Sequence, residues 1–145
     1  MKKKLFIFSA GPSGRDLLRL VYNINEKYPI WEVLGFVDNN ISLKGKRIDG
    51  LPVLNPNDIP SSNNYYGICG VMSPTLKQKI VKNEIEAKGY KMPVLIHPDI
   101  VKSKDLVVGE GSILFSGIHA SFNVKLGKCV LISFNTDLGH DLRVD

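Results

Sequence analysis

The sequence predicts an α/β chain in two parts: a small parallel-sheet domain over residues 1–96, then the first coils of a parallel β-helix over residues 97–145. Three observations carry that prediction. Short apolar runs alternate with amphipathic segments in the first part, each run ends in small or turn-forming residues, and aliphatic residues recur every six positions in the second.

The run from Leu5 to Ser9 ends in Ala10-Gly11-Pro12-Ser13-Gly14 and is followed by Leu17, Leu20, Val21 and Ile24 at helical spacing, which reads as strand, tight turn, helix. A second run, Val33 to Val37, ends in Asp38-Asn39-Asn40, and a third, Gly67 to Met72, ends in Ser73-Pro74. Ser73 suits an N-cap and Pro74 the first helical position. Leu76/Ile80 and Val81/Ile85 form i,i+4 pairs, and Gly89 serves as terminator. Val94 to Ile96 reads as a fourth strand. Alternating strands and helices imply a Rossmann-like, mostly parallel sheet with its ligand at the carboxyl ends of the strands.

The turn from Ser9 to Gly14 is where small residues let backbone N–H groups and the positive end of a helix approach a phosphate. Only Gly11 and Gly14 approximate a GxGxxG fingerprint and Pro12 removes one donor, which disfavours a nicotinamide-dependent oxidoreductase. The competing reading is a βα turn with no ligand. Asp38 and Asn39 follow the second strand, where a side chain either bonds a base or ribose edge or caps a turn.

In the second part, Val108, Leu114, Ala120, Leu126, Ile132, Leu138 and Val144 are all aliphatic at a spacing of six. Gly109, Phe115, Ser121, Gly127, Ser133, Gly139 and Asp145 follow them, mostly small residues suited to tight corners. Three such hexads make one triangular coil, with the repeated aliphatic pointing inward.

The net charge of +5 sits in the first part, where residues 1–95 carry 14 Lys/Arg against 8 Asp/Glu. No aromatic-basic motif or basic helix accompanies it, so nucleic acid is not an expected partner and a phosphate-bearing small molecule fits. No apolar run approaches the ~18 residues of a membrane span, and the N-terminal lysines precede no signal-peptide core. The expectation is a cytoplasmic protein without membrane contact. Cys69 and Cys129 stand far apart without CxxC spacing, and no cluster has metal-ligand spacing, so no metal is expected.

Five stretches together resemble the hexapeptide-repeat sugar acyltransferases of the sialic acid O-acetyltransferase and bacillosamine-pathway N-acetyltransferase type. They are Gly11-Pro12-Ser13-Gly14-Arg15, Gly35-Phe36-Val37-Asp38-Asn39-Asn40, Gly50-Leu51-Pro52-Val53-Leu54, His97-Pro98, and Leu138-Gly139-His140-Asp141. The last, in register at the end of the hexad run, is the most specific. The resemblance implies that the β-helix is left-handed and that the protein is an acetyl-CoA-dependent acetyltransferase of bacterial surface glycan biosynthesis. Its acceptor would be a nucleotide-activated sugar or an amino sugar, its assembly a homotrimer. Gly11, Ser13 and Gly14 are assigned to the phosphate turn, and Asp38 and Asn39 to the nucleoside. Family members usually carry a His where this chain has Ser13 and an acid where it has Asn39.

The resemblance also makes His140 the general base and Asp141 the group that orients it. An imidazole, with an ordinary pKa of about 6.5, accepts a proton at neutral pH as an amine or hydroxyl attacks a thioester. His119 is read as a surface corner residue, His97 as structural and Cys129 as unreactive. The hexads stop at Asp145 without a cap, so the chain is expected to be a truncated β-helix or one covered by another subunit. It is then expected to lack most of the acyl-CoA channel and to turn over weakly while still binding nucleotide-sugar. The alternative is a nucleotide-sugar binding and oligomerisation module without catalytic activity.

Overall fold

The computed structural model describes all of residues 1–145. The chain divides into two compact units, residues 1–19 with 29–92 and residues 20–28 with 93–145.

The first unit is built on a five-stranded sheet of order β3-β4-β2-β1-β5. Strand β1 (Lys3–Phe8) pairs in parallel with β2 (Trp31–Val37) and β5 (Tyr66–Cys69). Its central place explains why Leu5, Phe6, Ile7 and Phe8 are all buried without alternation, as parallel sheets require. Helix α1 (Pro12–Lys27) forms the crossover from β1 to β2. Helix α2 (Pro74–Ile80) starts at Ser73, whose Oγ accepts the Leu76 N–H at 3.4 Å, and continues through a π-helical turn (Val81–Ile85) and a 3-10 turn (Glu86–Lys88). Gly89 stops it with φ of 77°, a left-handed conformation glycine adopts without penalty. Phe6 stacks on Tyr90 at 5.6 Å, and Tyr65 meets both rings edge-on. The Tyr90 hydroxyl donates to the Pro60 carbonyl, and burial pushes its phenol up to about 12.

Two elements differ from the sequence reading. Strand β4 (Leu51–Leu54) pairs in parallel with β2, and β3 (Arg47–Ile48) closes an antiparallel hairpin onto it. Pro52 disguises β4, because proline is tolerated in a strand only where no ladder donor is needed. The expected fourth strand of the α/β sheet, Val94 to Ile96, is instead the first rung of the β-helix: β6 (Leu95–Ile96) pairs with β9 (Ile113–Leu114). An isolated two-residue apolar strand carries no mark of which sheet will take it.

The second unit stacks nine two-residue strands into three parallel three-stranded sheets: β6-β9-β12, β7-β10-β13 and β8-β11-β14. Here β7 is Val101–Lys102, β8 Val107–Val108, β10 His119–Ala120, β11 Lys125–Leu126, β12 Leu131–Ile132, β13 Asp137–Leu138 and β14 Arg143–Val144. Each residue pairs with the one 18 positions on, as Val101 with His119 and His119 with Asp137, so one coil is three hexads. The fold is the left-handed β-helix. Its core takes two residues per hexad: the strand aliphatics Leu114, Ala120, Leu126, Ile132 and Leu138, and the corner residues Ile118, Val124 and Val130. Where that corner position is Ser112, its Oγ donates to the Gly127 carbonyl at 2.8 Å and accepts the Val130 N–H at 3.0 Å, satisfying the one buried polar side chain.

Six successive corners take a residue with positive φ, supplied by Gly111, Gly117, Asn123, Cys129, Asn135 and Asp141 at the same spacing of six. Glycine, asparagine and aspartate are the residues that enter this region at least cost. Because Leu114 is fully buried, Leu114→Ala is expected to lower stability by about 2–5 kcal/mol, read from the urea midpoint.

Candidate functional site

Two places in the chain bring chemistry-bearing residues together, one in each unit. In the first, the carboxyl ends of β1 and β2 are tied by Asp38, which accepts the Ala10 N–H at 3.0 Å through Oδ2 and the Asn40 N–H at 2.9 Å through Oδ1. Ser9 turns the chain out of β1 with φ of 100°, and its Oγ accepts the Gly11 N–H at 3.3 Å. Non-glycine residues held in such conformations cluster at functional sites. The result is a cleft of about 80 Å³ lined by Ser9, Val37, Asp38, Asn39, Val71, Leu76, Ile80 and Glu84. Gly11, Ser13 and Gly14 form the turn and the first residues of α1 beyond it. The Ser13 and Asn39 side chains make no hydrogen bond within the chain. Arg15, next in the turn motif, is taken up by Asp49 through contacts of 2.9 and 3.1 Å, which hold the Asp49 carboxyl below its usual range.

Ser9 and Glu84 join this cleft without having been singled out in the sequence. Glu84 sits in the π-helical turn, a local under-winding frequent at functional sites. Burial, and then the nearby Asp38 charge, push its carboxyl above the usual range.

In the second unit, His140 and Asp141 stand at the corner between β13 and β14. The His140 Nδ1 lies 2.8 Å from Asp141 Oδ2, and Asp141 Oδ1 accepts from Asn123 Nδ2 at 2.7 Å. Asn123 is one coil earlier at the equivalent corner, and its backbone N–H donates to Asp105, another coil back, at 2.9 Å. The His140 ring lies flat on Phe122, with centroids 5.1 Å apart and planes 5° apart. With Nδ1 directed at a carboxylate, the tautomer is fixed as Nδ1–H and Nε2 is left as the proton acceptor. The side chains of His140 and Asp141 remain exposed.

The Asp141 carboxyl lies below its usual range because of the Asn123 hydrogen bond first and His140 second. A depressed carboxylate pKa means the contact is in place above the ordinary value of about 3.9 and is lost only as pH falls through the lower, folded-state value. A carboxyl carbon NMR titration is therefore expected to show Asp141 protonating at lower pH than a peptide aspartate.

The other histidines have separate surroundings. His97 is largely buried, with Nδ1 2.6 Å from Asp99 Oδ1 and Nε2 3.0 Å from Asn23 Nδ2, an anchoring role consistent with a structural residue. His119, read as a corner residue, lies on strand β10 with its side chain exposed. Cys69 is buried and Cys129 half-buried. No group of three or more His, Cys, Asp or Glu stands close enough to hold a metal ion. No helix is long and apolar enough to cross a membrane.

The sheet followed by a β-helix of 18-residue coils is a fold shared with solved sugar acetyltransferases. Among solved structures sharing it is the acetyltransferase domain of PglB from Neisseria gonorrhoeae in complex with acetyl coenzyme A. It is 23% identical with a TM-score of 0.79, over 99% of this chain and 67% of that one. A histidine-to-asparagine variant of perosamine N-acetyltransferase from Caulobacter crescentus, in complex with CoA and GDP-perosamine, matches at 18% identity and TM-score 0.79, over 97% of this chain and 64% of that one. WeeI from Acinetobacter baumannii matches at 20% identity and TM-score 0.82, over 96% and 65%. The chain thus spans about two thirds of these proteins. No protein-family model matches it, and no curated protein matches it in sequence.

Proposed function

We propose that this chain is an acetyl-CoA-dependent acetyltransferase that acetylates a nucleotide-activated amino sugar in glycan biosynthesis, with His140 as general base and Asp141 as its orienting partner. The observation that carries the reading is the His140 corner: an exposed imidazole whose Nδ1 faces a carboxylate that is itself anchored by Asn123. The sugar amine attacks the thioester carbonyl, forming the N–C bond while His140 Nε2 takes the amine proton. The tetrahedral intermediate then expels the CoA sulfur, which leaves as a thiol once protonated. No covalent enzyme intermediate is needed.

In this reading the sugar nucleotide occupies the cleft of the first unit. Gly11, Ser13 and Gly14 receive the phosphates at the N-terminal end of α1, where backbone N–H groups and the helix dipole favour an anion. Asp38 and Asn39 serve the nucleoside. Support comes from acceptor and donor together: perosamine N-acetyltransferase was captured with CoA and a GDP-sugar, and the PglB domain with acetyl coenzyme A. Assembly as a homotrimer through the β-helices accounts for its exposed Val101, Val107, Phe122 and Phe134, apolar side chains that a partner surface would cover.

Chemical-shift mapping with an amino-sugar nucleotide tests the cleft. Shifts concentrated around the cleft, with the amides of Gly11, Ser13, Gly14, Asp38 and Asn39 among those moved, are expected. Saturable binding that leaves those amides unmoved would remove the assignment.

A further inference from the structure

Resting on the reading of this cleft as a nucleotide site, we infer that Glu84 reads the nucleobase, and that the base it selects is guanine.

The cleft holds two carboxyl groups, and they are not equivalent. Asp38 commits one oxygen to Ala10 N–H and the other to Asn40 N–H. It keeps lone pairs for a single hydroxyl but no free edge for a paired contact. Glu84 is partly buried in the same cleft and makes no hydrogen bond and no ion pair with any residue of the chain. A carboxylate partly withdrawn from water beside a second acid and against the aliphatic walls of Val37, Val71, Leu76 and Ile80 loses hydration that donors from a ligand would replace. Its placement follows from helical spacing, since Leu76, Ile80 and Glu84 succeed one another four residues apart on the face that lines the cleft.

The apolar walls suit the faces of a planar ring, and the carboxylate suits its edge. A carboxylate only accepts, and it has two parallel acceptor oxygens. Guanine presents two adjacent donors, the ring N1–H and the exocyclic N2 amine, that match them. Uracil presents one N–H between two carbonyls, so a carboxylate that accepts the N–H sets its second oxygen against a carbonyl oxygen. A buried group built to pair with a donor rejects the analogue that lacks it, since the group is then left unsatisfied. The ribose diol is the competing partner for a carboxylate in such a cleft, and it is common to all nucleotides, so base preference separates the two.

The test is calorimetric titration of the chain with GDP, IDP and UDP, repeated on Glu84→Gln. IDP is GDP without the N2 amine. The wild-type chain is expected to bind GDP about ten- to a hundredfold more tightly than IDP or UDP, the span of one bidentate base contact. Glu84→Gln is expected to erase that preference, weakening GDP and strengthening UDP, whose N3–H and adjacent carbonyl an amide matches. UDP binding as tightly as GDP would overturn the inference, as would a loss in Glu84→Gln shared equally by all three nucleotides, which assigns Glu84 to the ribose. Both results leave the cleft a nucleotide site. Binding of none of the three overturns the nucleotide reading and this inference with it.

Discussion

Replacing His140 with alanine is expected to lower the rate of acetyl transfer by about 10²–10⁴-fold, the range a positioned general base supplies. Nothing else at the corner can replace it. Asp141 points at His140 and Asn123, and Phe122 offers only a ring face. Binding of the sugar nucleotide should be unaffected, because the cleft draws on residues 9–84 and none from the β-helix. Asp141→Asn is expected to fall between the two, since an amide can still meet Nδ1 but no longer fixes the tautomer. Enzyme-excess, single-turnover kinetics read these rates even where turnover is slow. Equal rates for wild type and His140→Ala would remove His140 from the mechanism.

The second large effect is structural and lies at the other site. A Cβ on Gly14 would come within 1.9 Å of the Ser9 carbonyl oxygen and 2.9 Å of its carbon. Both obstacles are backbone, so no side-chain rotation relieves them. Gly14→Ala must push β1 and α1 apart at the turn, and overpacking of this kind costs about 1–3 kcal/mol or more. The expected outcome is a lower urea midpoint together with loss of nucleotide binding. Gly11→Ala, whose Cβ would meet only the Ser9 Oγ at 3.6 Å, is expected to leave the midpoint close to wild type. If Gly14→Ala were as stable as Gly11→Ala, the tight approach of helix to strand would be wrong.

How far the sequence reveals this fold depends on how local each signal is. The β-helix is legible because a coil of three hexads repeats its inward aliphatic whatever else changes, so Leu114, Ala120, Leu126, Ile132 and Leu138 mark the core without any long-range knowledge. The Ser73 cap and the Gly89 terminator are equally local. Strand β4 escapes because a strand of four residues with a proline reads as a turn, and it is a strand only because β2 and β3 lie beside it.

The sites follow the same division. His140 and Asp141 are adjacent in sequence and stand in register, so their pairing is readable. Asn123 and Phe122 lie a full coil earlier and become visible only when 18 residues are counted back from the histidine corner. That count was available in the hexads. Glu84 is harder to find: helical spacing puts it on the face of Leu76 and Ile80, but nothing local shows that this face meets the end of β2 and Asp38. The sequence read Asp38 as either a nucleoside contact or a turn cap. Its bonds to Ala10 and Asn40 establish the capping role, and the nucleoside role belongs to the proposal.

The measurement that bears most directly on the account is mass analysis of the products after the chain, in molar excess, meets acetyl-CoA and an amino-sugar nucleotide together. Free CoA and a sugar nucleotide heavier by one acetyl group are expected, formed only when both substrates are present. Sugar nucleotide recovered unmodified, although both substrates bind, would contradict it and leave a binding module.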